Sequence, residues 1–116
     1  MSGAFFESWV FSEIYKSYLN AGKEPPLYYY RDKEKREIDI LIYSDAVLYP
    51  IEVKKAVSPG IGSLRNFSAL DPVAEPERFG EMEQFKVEIG PGAVICMAND
   101  LLPIDRKNWL VPAWLI

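Results

Sequence analysis

Three acidic residues and one lysine occupy positions of this sequence where charge is costly. Asp39 falls within the apolar stretch EIDILIY, and Glu52 and Lys54 fall within VLYPIEVKK, both of which are predicted to be strands. Glu7 lies on the apolar side of a predicted amphipathic helix. Neighbouring carboxylates repel each other and raise a pKa unless a cation lies between them. The pattern therefore indicates that these acids share a cation, which is Lys54, a divalent metal ion, or both.

Hydrophobic periodicity and turn residues predict the elements that hold these side chains. A first helix is followed by three strands, a short helix and two more strands, at residues 5–19, 27–31, 37–43, 47–55, 63–70, 92–99 and 108–116. Because alternate side chains of a strand lie on opposite faces, we expect Asp39 opposite the isoleucines of its strand and on one face with Glu52 and Lys54. The last strand contains proline and is expected at a sheet edge. The proline-rich stretch 71–92 is left mostly irregular, with a candidate short element at 82–89.

Length and composition narrow the class of protein. The chain of 116 residues fits one domain, 1–116, and its hydrophobic fraction of 49% is enough for a core. A net charge of -4 excludes a global basic field, so any polyanion site must be local. The single Cys96 and the lack of histidine remove an internal disulfide and the usual zinc ligands. With no secretory signal and no membrane-spanning run, a cytoplasmic protein is expected.

The order of the helix acid, the strand acid and the E-V-K triplet resembles the motif of the PD-(D/E)xK nuclease superfamily. More closely, GAFFESWVFSEIYKSYLN, YYYRDKEKREIDILI and IEVKK resemble the DUF4143-type domain of unknown function, which is found carboxy-terminal to AAA-type ATPase modules. This resemblance covers nearly the whole chain. It implies a three-layer α/β, restriction-endonuclease-like core in the order αβββαβ with a mixed central sheet.

The ATPase module of such proteins is expected as a partner in the same polypeptide. This chain contains no G-x-x-x-x-G-K-[ST] loop, since GIGSLR does not satisfy that pattern. The chain alone is therefore not expected to hydrolyse ATP, and it is interpreted as an excised domain or a truncated gene product.

The resemblance implies hydrolysis of DNA phosphodiester bonds with Mg²⁺ or Mn²⁺, the metals that hard oxygen ligands favour. Asp39, Glu52 and the carbonyl of Val53 would hold the metal ion, and Glu7 would support this set or bind a second ion. Lys54 would orient or activate the attacking water. Six basic residues are candidate nucleic-acid contacts at the mouth of the site: Arg31, Lys33, Lys35, Arg36, Lys55 and Arg65.

Structural alternatives stand beside these assignments. The acids and the lysine could form an ion network that only stabilises the fold, and the charged turn could be a solvated loop. The tyrosines at 28–30 could stack on bases or pack across strands. Trp109 and Trp114 could cover a sheet edge or a partner surface. Two functions therefore stay open: a metal-dependent endo- or exonuclease domain, and a non-catalytic domain that docks the ATPase to a protein or nucleic-acid partner, with oligomerisation undecided.

Overall fold

A helix, seven strands and two short 3₁₀ helices make up the computed structural model, which describes residues 2–70 and 88–116. The elements are α1 (Gly3–Asn20), β1 (Leu27–Arg31), β2 (Glu37–Ser44), β3 (Val47–Val53), a 3₁₀ helix (Ile61–Leu70), β4 (Glu88–Ile89), β5 (Ala93–Cys96), β6 (Leu102–Pro103), β7 (Trp109–Pro112) and a last 3₁₀ turn (Ala113–Leu115). No helix in these two ranges is long and apolar enough to cross a membrane.

The strands form one mixed sheet in the order β1-β2-β3-β5-β7-β6, with β4 paired to β3. Strands β1, β2 and β3 are antiparallel neighbours, whereas β3, β5 and β7 run parallel. Helix α1 packs on one face of the sheet and the 3₁₀ helix on the other. The predicted three-layer α/β architecture with a mixed sheet is therefore confirmed.

Three local predictions need correction. The last strand does not lie at the edge, because the two-residue β6 pairs outside it. The short helix is a 3₁₀ helix and begins earlier, at Ile61. Of the candidate element at 82–89, Glu88 and Ile89 form β4 and the rest lies outside the described residues. Strands of two residues such as β4 and β6 are too short to produce a periodic pattern, so the sequence could not reveal them.

The core beneath α1 follows the spacing of its apolar residues. The side chain of Ser2 accepts a hydrogen bond from Phe5 N at 3.1 Å and begins the helix. Phe6, Val10 and Ile14 are one turn apart and are buried against strand residues from β2, β3 and β5. The opposite face of the sheet is closed by Leu70 and Phe67 of the 3₁₀ helix.

We expect Phe6→Ala to lower the free energy of unfolding by ~3–5 kcal/mol, the usual cost of removing a buried ring. Phe6 is 2% exposed, whereas its neighbour Phe5 is 61% exposed. Phe5→Ala is therefore the matched control and should change the stability by less than ~0.5 kcal/mol. Urea unfolding followed by circular dichroism measures both, and equal losses would contradict the packing of α1 described here.

Candidate functional site

A β-bulge in β2 sets the direction of Asp39. Tyr28 pairs with Leu41 and Tyr30 with Ile38, so two residues of β2, Asp39 and Ile40, lie opposite the single residue between the tyrosines. Ile38 and Leu41 consequently pack on the 3₁₀-helix side of the sheet, and Ile40 packs under α1. The prediction that Asp39 lies opposite a continuous isoleucine face is wrong, because alternation does not hold across a bulge.

The carboxylate of Asp39 bridges the point where β2 and β3 stop pairing. The last backbone pair joins Ile40 to Ile51, yet β3 continues to Val53. Asp39 Oδ2 accepts a hydrogen bond from Val53 N at 2.8 Å, so the side chain takes the place of a ladder acceptor. The N–H groups of a β-ladder lie in the plane of the sheet and point towards the neighbouring strand. This carboxylate therefore lies between the two strands and not simply above one face.

Glu52 is the one charged residue that is buried as a whole among residues 2–70 and 88–116. It is 6% exposed, and its Oε2 atom has no hydrogen-bond partner in that part of the chain. Burial, a hydrogen bond with Asp39 and the charge of Asp39 raise the pKa of Glu52 to about 9, and the charge of Lys54 opposes the shift. The negative charge of each acid therefore disfavours ionisation of the other.

Glu7 reaches this pair from α1. Glu7 and Asp39 line the same open cleft between the helix and the sheet. Partial burial, the charge of Asp39 and a hydrogen bond with Asp39 raise the pKa of Glu7, and Lys54 again opposes the shift. The predicted contact of the helix acid is thus present with Asp39. The prediction that Asp39 and Glu52 share one face is wrong, because Ile51 and Val53 pack under α1 and alternation turns Glu52 between them to the other face.

Lys54 follows the end of β3 and completes the group. Its backbone N donates to the carbonyl of Ile95 at 3.0 Å, which keeps this segment beside β5, while its side chain is exposed. Its positive charge acts on both Glu7 and Glu52. We call Glu7, Asp39, Glu52 and Lys54 the acidic cluster.

Two of the six basic candidates are held in ion pairs within or next to the turn between β1 and β2. Arg36 Nε donates to Asp32 Oδ2 at 2.7 Å, and Arg36 N donates to the same carboxylate. Burial opposes ionisation of Asp32, but these hydrogen bonds outweigh it and lower the pKa of Asp32. Arg36 therefore stabilises its own turn. Arg31 Nε lies 3.6 Å from Glu37 Oε1 and keeps an exposed side chain.

The other basic candidates are more dispersed. Lys33 and Lys35 are exposed in the turn between β1 and β2, and Lys35 has a positive φ of 63°. Lys55 is exposed next to Lys54. Arg65 lines a different cavity, of about 510 Å³, together with Lys107. The structure therefore does not gather the six basic residues around the acidic cluster.

The described residues form two concave surfaces that sequence reasoning did not predict, although it marked Trp114 of the second one as a candidate partner contact. The cleft beside Asp39 has a volume of about 480 Å³ and is lined by Ala4, Glu7, Ser8, Phe11, Ser12, Tyr29, Asp39 and Ile40. A second, more apolar groove of about 290 Å³ contains Phe6, Trp9, Met97 and Trp114. One sequence signal indicates the helix side of the cleft. Ala4, Ser8, Phe11 and Ser12 are separated by three or four residues and therefore lie on one side of α1.

The described residues contain no group of three or more histidine, cysteine, aspartate or glutamate side chains arranged to hold a metal ion. Asp39 and Glu52 act on each other through a hydrogen bond and through charge. Glu7 joins the pair through Asp39 and is itself exposed.

The fold and the cluster define a mixed α/β domain with coupled acids where two central strands separate. The chain matches the family described as "Domain of unknown function (DUF4143)" over residues 2–116, and it belongs to that family. No curated protein and no solved structure shows a significant match.

Proposed function

We propose that this domain is a PD-(D/E)xK-type, metal-dependent nuclease that hydrolyses phosphodiester bonds of DNA and works with an AAA-type ATPase module. The observation that carries the proposal is the buried Glu52, whose Oε2 has no hydrogen-bond partner among the described residues and whose neighbour is a second carboxylate. A buried acid beside another acid destabilises the fold unless a proton or a cation compensates it. Perturbed acids at the edge of a cleft are typical of functional sites.

The donor set fits a hard divalent cation. Asp39 and Glu52 would hold Mg²⁺ or Mn²⁺ together with the carbonyl of Val53, because all three donors are oxygens. When bound, the ion would lower the pKa of a coordinated water and neutralise charge on the phosphate. Glu7 would assist Asp39 from the helix or contribute to a second ion.

Other residues of the chain would position the metal ligand, orient the attacking water and bind the DNA backbone. Asp39 is held in position by Val53 N, so its carboxylate keeps a defined direction. Lys54 projects into solvent beside the acids and would orient the attacking water and stabilise negative charge on the phosphate. Arg31 and the exposed lysines 33, 35 and 55 would contact phosphates outside the site, in a way that depends on salt.

A second candidate function is docking without catalysis. The apolar groove of Trp9, Met97 and Trp114 favours it, since Trp114 is 66% exposed and aromatic residues are enriched at protein interfaces. In this alternative the acidic cluster only stabilises the sheet, and the domain joins the ATPase to a protein or nucleic-acid partner. Both candidates use the same fold, so the fold alone does not separate them.

Thermal unfolding with added metal tests the metal site directly. We expect MnCl₂ or MgCl₂ to raise the melting temperature of the wild type, because a ligand that binds only the native state stabilises it by roughly 2.7 kcal/mol at 100 times Kd. The increase should grow from pH 6 to pH 9, since a protonated carboxyl does not coordinate a metal ion.

Two variants complete this experiment. Asp39→Asn should abolish the shift, whereas Glu24→Gln, an exposed glutamate before β1, should retain it. A wild type that melts at the same temperature with millimolar metal and with chelator, at matched ionic strength, would remove the metal site and leave docking as the leading function.

A further inference from the structure

The cleft beside Asp39 has aromatic side chains on two different elements. Phe11 comes from α1 and is 40% exposed, and Tyr29 comes from β1 and is 60% exposed. Among the described residues, Phe11 has ring contact with Tyr15, and Tyr29 has none. The rings of Tyr29 and Phe11 therefore border open space of about 480 Å³, within the size range of small-molecule sites.

The β-bulge explains why Tyr29 and the acid meet. Tyr28 and Tyr30 pair with residues that pack on the 3₁₀-helix side, so alternation places Tyr29 on the α1 side. The two bulge residues opposite Tyr29 are Asp39 and Ile40, and both line the cleft. An occupant of the cleft would thus contact Ile40 and Tyr29 while it touches the acidic cluster.

The charges of the lining select the kind of occupant. The cleft residues include two acids, Glu7 and Asp39, and neither a lysine nor an arginine. Without a bound cation a phosphate group would be repelled from this interior, whereas a neutral, flat ring would be accepted. The hydroxyls of Ser8 and Ser12 offer donors and acceptors to the edge of such a ring. The cations Lys54 and Arg31 lie outside the lining.

We propose that the cleft binds one unstacked nucleobase of single-stranded DNA between Phe11 and Tyr29, so that the adjoining phosphodiester lies at Asp39. This proposal rests on the proposed nuclease function and adds its substrate class. Every base has a π face, so stacking on aromatic side chains depends little on the nucleotide sequence. A base within a duplex is already stacked, and its removal costs a few kcal/mol. The domain therefore prefers single strands or frayed ends over blunt duplex.

Fluorescence anisotropy with a labelled oligothymidylate and a blunt duplex of equal length tests the proposal. The titrations use the full chain at low salt with Ca²⁺, which binds oxygen ligands, and are repeated with chelator. We expect tighter binding of the single strand. Tyr29→Leu and Phe11→Leu should each weaken it roughly 10-fold, whereas Tyr29→Phe should retain most of the affinity because the ring remains.

Tyr28→Leu is the matched control, since Tyr28 is 57% exposed on the same strand but lies on the other face. Binding that prefers duplex, or equal affinity of Tyr28→Leu, Tyr29→Leu and Phe11→Leu, would overturn the proposal. The outcome is separable from the nuclease assay. If single-strand binding depends on Tyr29 but no DNA is cleaved, the base site is supported and the nuclease function is contradicted. If duplex DNA is cleaved and Tyr29→Leu does not change the rate, the nuclease function is supported and the base site is contradicted.

Discussion

Lys54→Ala is expected to slow metal-dependent DNA cleavage by ~10²-fold or more while the protein still binds Mn²⁺. The physical reason is that Lys54 is exposed beside the acids and acts on them through its charge, without being a metal ligand itself. Removal of the amine loses the orientation of water and the stabilisation of charge on the phosphate. Cleavage of plasmid and of single-stranded DNA with Mg²⁺ or Mn²⁺ at low salt measures the rate, and the metal-induced shift in melting temperature measures binding.

Two variants make this result specific. Asp39→Ala should lose metal binding and cleavage together, because Asp39 is a proposed ligand. Cleavage by a contaminating nuclease would not change with either substitution. Lys23→Ala removes an exposed lysine between α1 and β1 and should cleave at the wild-type rate. Equal cleavage by wild type, Lys54→Ala and Asp39→Ala, or no cleavage by any of them, would end the nuclease interpretation for this chain.

Glu52→Gln is expected to stabilise the metal-free protein at high pH and to change it little at pH 5. The pKa of Glu52 is raised to about 9 in the folded chain from an ordinary value of 4.5. Between these values the native state holds a proton that the unfolded state releases, so the free energy of unfolding falls as the pH rises. Glutamine is neutral at every pH and removes this dependence, for a gain of ~1–3 kcal/mol near pH 9.

Urea unfolding in chelator at pH 5, 7 and 9 measures the effect as a difference between the wild type and the variant. Glu24→Gln serves as the control, because it changes an exposed glutamate and should follow the wild type at each pH. A wild type whose stability does not fall from pH 5 to pH 9, or a Glu52→Gln variant that is less stable at pH 9, would show that Glu52 is ionised and well compensated in the fold.

The proposed metal ion and a proton on Glu52 are two alternative ways to compensate the negative charge of this buried carboxylate. At low pH a proton compensates the buried carboxyl, and at high pH the site is left with an uncompensated acid unless a cation binds. The pH at which metal begins to stabilise the protein should therefore match the range in which the metal-free wild type loses stability. A purely structural ion network has no such link, so this comparison separates the two interpretations of the cluster.

The sequence by itself determined the elements that depend on neighbouring residues. The helical spacing of Phe6, Val10 and Ile14 predicted α1, and alternating apolar runs predicted β1, β2 and β3 within two residues of their observed bounds. The same patterns marked Asp39 and Glu52, because a charged residue inside an apolar strand stands out. Such signals are local, so they do not require knowledge of which strand pairs with which.

Only the tertiary structure decided how the marked residues are presented. The bulge at Asp39 and Ile40 arises from the register between β1 and β2, which cannot be predicted from the sequence of either strand alone. Glu52 pairs with Val94 of the parallel strand β5, which lies more than 40 residues later in the chain, so its surroundings are not local in sequence. Arg36 belongs to a turn and not to the site, because its partner Asp32 folds back onto it. Tyr29 differs from the tyrosines on either side for the same reason, since alternation and pairing register, and not residue type, decide which ring faces the acids.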